Sequence, residues 1–215
     1  MRCHLRACSP LAILVAACTT APQPTPSATS RPLVAAAAAI PGQALDAVPE
    51  AWHKALDRGV VATSALGSRL RARVAEAMKQ GGPAQAIVVC RDDAAELTAA
   101  VSAEYGIRLG RTSHRLRNHD NGAPPWMTAL VELARQPATD TPQARAFDLG
   151  DAVGLAQPIS TATACLRCHG PRDQIDPAVL DVLTETYPDD RATGFEAGSL
   201  RGYMWAEIPL RIAIE

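Results

Sequence analysis

Between Pro49 and Gln80, apolar residues return every three or four positions: Trp52, Leu56, Leu66, Leu70, Val74 and Met78. That period is one face of a helix. Gly81-Gly82-Pro83 stops the run, because two glycines and a proline together interrupt the helical hydrogen-bond ladder. Pro83 suits the first turn of a second helix, which Gly106 should end. Along that helix Ile87, Cys90, Ala94, Leu97 and Val101 share a face, so Cys90 is expected to turn inward. Ile107 to Ser113 reads as a strand, and Arg117 to Pro125, dense in Asn, Gly and Pro, as a loop. Trp126, Leu130, Leu133 and Ala134 predict a third helix. Ala146 to Leu149 and Ala152 to Ile159 read as short strands, Pro177 to Tyr187 as a short helix, and Leu200 to Ile214 as one or two closing strands. The pattern is α+β with a long N-terminal helix.

The first 48 residues follow another logic. Arg2 and Arg6 precede an apolar run from Leu11 to Ala17, the layout of an export signal and far too short to span a bilayer. Val15-Ala16-Ala17-Cys18 has the form of a bacterial lipobox: an aliphatic residue, two small ones, and a Cys that receives lipid. Residues 1–17 are therefore expected to be removed as a lipoprotein signal peptide, with Cys3, His4 and Cys8 going with them. Residues 18–48, rich in Pro, Ala and Thr, read as a tether that starts at lipidated Cys18. Thr19 is not the Asp that tends to hold lipoproteins at the inner membrane, which tips the expectation toward a periplasm-facing protein on the outer membrane. Residues 49–215 form the expected domain, long enough for its own core.

Charge adds an exclusion. The 21 basic and 22 acidic residues give a formal net charge of −1, and loss of Arg2 and Arg6 with the signal makes it −3. Neither value points to nucleic acid as a partner. The membrane, through the lipid anchor, is the expected partner, together with a redox or signalling protein whose identity the chain does not disclose.

The chemistry is concentrated in Cys165-Leu166-Arg167-Cys168-His169. C-x-x-C-H is the attachment site of a c-type haem: Cys165 and Cys168 each add to a vinyl group of one porphyrin, and His169 becomes the proximal iron ligand. A zinc site would want a second ligand pair, and none stands at finger spacing. A thioredoxin-like pair has no use for His169. The motif occurs once, so one covalent haem c is expected. With Cys18 lipidated and Cys165 and Cys168 on haem, Cys90 is left over in an oxidising compartment. Two readings stand for it: a small buried hydrophobe, or the sixth iron ligand through its thiolate. Met204, His114 and His119 are other candidates for the sixth position, while His53, near the start of the first helix, reads as a surface residue. Met204 sits among Tyr203, Trp205 and Ile208, as a core strand residue would. Arg111, Arg115, Arg117 and Arg201 are cations able to pair with haem propionates.

Ala86 to Cys90, Gly110-Arg111-Thr112-Ser113, Arg117-Asn118, the haem motif, Gly194-Phe195 and Gly198 to Gly202 occur in this order. The chain thereby resembles the c-type haem family with a PAS-like fold, found as periplasmic single-haem cytochromes and as haem sensor domains. The resemblance covers roughly residues 50–212. It implies a PAS-like antiparallel sheet with flanking helices and a His/Cys-ligated haem, with His169 and Cys90 as axial ligands. It also adds weight to Arg111 and Arg117 as propionate partners. His119 departs from the family's usual Arg-Asn-Pro, and Pro125-Trp126 stand where an acidic residue is common.

A haem held by His and thiolate has no open coordination site. The function expected is redox or small-ligand sensing, with single-haem electron transfer as the alternative. No enzymatic role is expected; peroxidase activity would need an opened iron site with His114 or His119 beside it.

Overall fold

The computed structural model describes residues 41–136 and 141–211. The signal peptide, Cys18 and most of the tether lie outside them. The long helical element α1 runs His53–Tyr105 but is two arms, since Gly81 (φ −149°, ψ 18°) and Gly82 (φ 69°, ψ −162°) leave helical geometry. The Gly82 conformation is one that only glycine adopts readily. The arms fold back on each other. Ala77 of one packs with Ala86 and Val89 of the other, and the ion pairs Arg73–Asp93 (2.5 Å) and Arg69–Glu104 (2.7 Å) cross between them. Gly106, in the left-handed conformation (φ 60°), caps the second arm.

Five strands follow the order β1-β3-β4-β5-β2, every pair antiparallel. They are β1 Gln43–Ala44, β2 Arg108–Thr112, β3 Arg145–Asp148, β4 Ala152–Ser160 and β5 Leu200–Pro209. Among the described residues the closing segment contributes one strand, β5. β1 lies inside the stretch read as tether, and its pairing with Ala146 and Arg145 brings the sheet upstream of residue 48. The short helices are α2 Thr128–Leu133, α3 Leu166–His169 and α4 Pro177–Thr186. Trp126 precedes α2 in a 3₁₀ turn, Pro125–Met127, rather than opening the helix.

Period-two alternation divides the sheet between two cores. Val153 and Leu155 of β4, Ala206 and Ile208 of β5 and Leu109 of β2 pack against Leu56, Ala62, Leu66 and Val101 of α1. Gly59 makes that approach close: a β-carbon there would lie 2.4 Å from Ile208 Cδ1. On the other face Ala156 and Tyr203 pack under Met127, Leu130 and Val131. Helix α4 rests on the second arm of α1 through Ile87, Val179, Leu183 and Tyr187, with Cys168 at the edge of this cluster. That packing sets the Cys-x-x-Cys-His turn between helix α1 and the end of the sheet.

Candidate functional site

The motif begins as β4 ends. A 3₁₀ turn, Thr163–Cys165, leads into α3, and Gly170 takes the chain out of it in extended conformation. A side chain at Gly170 would meet Leu166 O at 2.7 Å, so the exit needs glycine. Cys165 and Cys168 are free thiols, each partly buried, and burial pushes the Cys168 thiol pKa up.

One cavity gathers most of the expected site. It is lined by Cys90 from the second arm of α1, Arg111 from β2, Arg115 and Arg117 from the following loop, His169 from α3, and Arg201 from β5. Tyr187, at the end of α4, also lines it, a residue that the hydrophobic pattern marked only as a helix end. The inward face predicted for Cys90 is therefore correct, and what it faces is this cavity. Burial raises the Cys90 thiol pKa, and Arg111, Arg117 and Arg201 oppose that shift by favouring the thiolate.

His169 is held in one tautomer. Its Nδ1 lies 2.7 Å from the Ala192 carbonyl oxygen, which can only accept, so Nδ1 carries the proton and Nε2 presents its lone pair. Arg201 Nη1 donates to that Nε2 at 3.2 Å. Burial, reinforced by Arg201 and Arg117, holds the imidazole pKa well below its usual value. His169 is thus a neutral, oriented nitrogen donor.

The four arginines are not equivalent. Arg111 and Arg201 have no acidic partner among the described residues. Arg117 instead pairs with Asp190 (3.1 Å) and donates to Cys168 O at 2.5 Å. Arg115 is exposed, bonds Thr193 O and Gly194 O (3.1 and 3.0 Å), and sits over the Phe195 ring.

The remaining candidates lie elsewhere. Met204 packs in the α1-facing core, its methyl 3.6 Å from where a β-carbon on Gly67 would stand. His114 sets its ring edge-on to Phe195, and burial lowers its pKa. His119 is exposed, 3.4 Å from Asp189 O, and His53 is exposed at the start of α1. Among the described residues no three His, Cys, Asp or Glu side chains cluster to hold a metal ion.

Fold and site together define a class: an α+β domain in which a Cys-x-x-Cys-His turn closes the end of an antiparallel sheet over an arginine-lined cavity. The sequence model of the family described as "Tll0287-like: Tll0287" matches residues 37–209, and the chain belongs to this family. Among solved structures, the crystal structure of the cyanobacterial heme-protein Tll0287 matches with a TM-score of 0.51 at 20% identity, covering 78% of this chain and 100% of that chain. That likeness is one of fold. No curated protein sequence matches the chain.

Proposed function

We propose that the chain is a lipid-anchored, periplasm-facing protein carrying one covalent haem c, with Cys165 and Cys168 as the thioether residues and His169 and Cys90 as iron ligands. The single observation that carries the reading is the convergence of Cys90 and His169 on one cavity; neither motif thiol is among its lining residues, and Cys168 packs against the neighbouring Ile87–Tyr187 cluster. The donors fit the group. A neutral imidazole with its proton on Nδ1 offers Nε2 to a metal, and such a hydrogen bond to a carbonyl is the usual support of a ligating histidine. Three guanidinium groups around Cys90 partly offset the burial that raises its thiol pKa, and a bound metal would have to supply the rest of the thiolate's stabilisation. Arg111, with no acidic partner among the described residues, is the cation available to a propionate carboxylate; Arg201 is held on His169 Nε2 and would have to swing off it for iron to take that position, and Arg117 is engaged by Asp190. The family's heme-protein member supports a haem-binding reading in the coarser sense. The PAS-like description of the sheet and the outer-membrane anchor through Cys18 belong to the same proposal.

Bound there, the haem supplies a one-electron redox centre, and a thiolate ligand biases iron toward the ferric state. The role we assign is redox or small-ligand sensing, with Cys90 as the ligand that lets go. Neither His114 nor His119 lines the cavity, so neither is placed beside it to serve as a peroxidase acid–base group. The test is gas binding by the purified haem-loaded protein. If Cys90 is the switch, the reduced protein takes up CO or NO while the ferric protein keeps its thiolate. A reduced form that retains six-coordination and refuses both gases would leave a simple electron carrier.

A further inference from the structure

The loop after α4 is laced to two others by a set of contacts that ends on the imidazole. Arg191 N donates to Leu116 O (2.9 Å), tying the loop to the segment after β2. Gly194 N and Phe195 N donate to Gly170 O (2.7 Å) and His169 O (2.9 Å), tying it to the haem motif. At the centre stands Asp190. Its Oδ1 accepts from Ala192 N at 2.8 Å, and its Oδ2 lies 3.1 Å from Arg117 Nη2. The two side chains are 5% and 14% exposed. Among the described residues neither Asp190 Oδ2 nor Arg117 Nε has a hydrogen-bond partner, so charge holds this pair. Arg117 Nη2 also reaches Cys168 O (2.5 Å) and Ala192 O (3.4 Å).

From this closed circuit we infer that the buried Arg117–Asp190 pair is a positioning device for His169, acting through Ala192. Asp190 holds the Ala192 N–H, one peptide before the Ala192 carbonyl that fixes the proton on His169 Nδ1, and Arg117 Nη2 reaches that carbonyl directly. Arg117 braces both sides by binding the Asp190 carboxylate and the Cys168 carbonyl of the motif. The chemistry assigned is second-sphere: a hydrogen bond to a ligating histidine sets its orientation and its donor strength. A pair present only for stability could sit anywhere in the fold, whereas this one touches both the N–H and the carbonyl of the residue that serves the imidazole. The inference rests on His169 as the iron ligand of the proposed haem, but the Nδ1 hydrogen bond itself can be read with or without iron.

The experiment is nitrogen-15 and proton NMR of His169 in the full-length chain as isolated and reduced. The wild type is expected to show a single Nδ1–H species with slow solvent exchange. Asp190→Ala should accelerate Nδ1–H exchange clearly above the wild-type rate, since the hydrogen bond that orients the imidazole is loosened. Asp190→Asn keeps an acceptor for Ala192 N but loses the charge that holds Arg117, and its exchange should fall between the wild type and Asp190→Ala. If Asp190→Ala fails to fold, Arg117→Lys carries the test, with exchange expected between the wild type and the unprotected limit. Wild-type exchange in a folded Asp190→Ala or Arg117→Lys protein would overturn the inference. A chain that holds no haem yet shows the protected Nδ1–H species, lost in Asp190→Ala, would sink the haem reading and leave the positioning role standing.

Discussion

Replacing Cys165 and Cys168 together by alanine should reduce haem that survives denaturation to background. The reason is the kind of bond involved. A haem held only by axial ligands leaves when the chain unfolds, because His169 and Cys90 come from α3 and the second arm of α1 and separate once tertiary packing is lost. Thioether bonds do not depend on the fold. Haem staining of a denaturing gel, with the pyridine haemochrome spectrum, measures this directly. Each single replacement should leave one thioether and displace the haemochrome band toward that of a porphyrin with one free vinyl group. Haem persisting on the denatured double variant would remove the covalent reading.

The second large effect is expected at Cys90. Cys90→Ala should leave the fold intact, since the side chain lines a cavity and removing one sulfur creates little new void. The iron, by contrast, should lose its thiolate. The ferric protein is then expected to turn high-spin or to recruit water, and to bind exogenous imidazole that the wild type excludes. The reduction potential should rise by on the order of 0.1 V or more, a fraction of the roughly 0.8 V range that axial ligands command. Redox titration followed optically, alongside circular dichroism as a check on folding, reads both changes. An unchanged spectrum and potential would return Cys90 to the role of a small apolar residue.

Much of this arrangement is legible along the chain where the determinants are local. The break at Gly81-Gly82 needs only two residues to explain it, and both arms of α1 follow the helical period on either side. Cys90 could be oriented by helical phase alone, and the leftover-cysteine count made that orientation meaningful. The haem motif is a contiguous five-residue signal. Elements without local signal were harder to see. β1 has two residues, too few for any alternation, and exists because β3 offers it an edge. Trp126 has the spacing of a helix start but sits in a turn, its indole donating to Glu207 Oε1 at 2.9 Å.

The arginines mark the limit most clearly. Arg111 and Arg117 look alike in the chain, yet Asp190, far downstream of Arg117, gives Arg117 a buried partner, while Arg111 has no acid among the described residues. Nothing in Pro188-Asp189-Asp190 separates the buried acid from its exposed neighbour Asp189. Met204 had the residue type of a ligand and the register of a core position, and strand pairing with Arg111 and Gln157 put it in the core. Residue types able to ligate iron were readable from sequence; which of them share a cavity required the fold.

The central claim is a His169–iron–Cys90 axis, and electron paramagnetic resonance of the ferric wild-type protein tests it most directly. A low-spin signal with the compressed g-anisotropy of thiolate coordination, absent from Cys90→Ala, is the predicted result. A high-spin resting signal, or the wide g-spread of two nitrogen ligands persisting in Cys90→Ala, would contradict it.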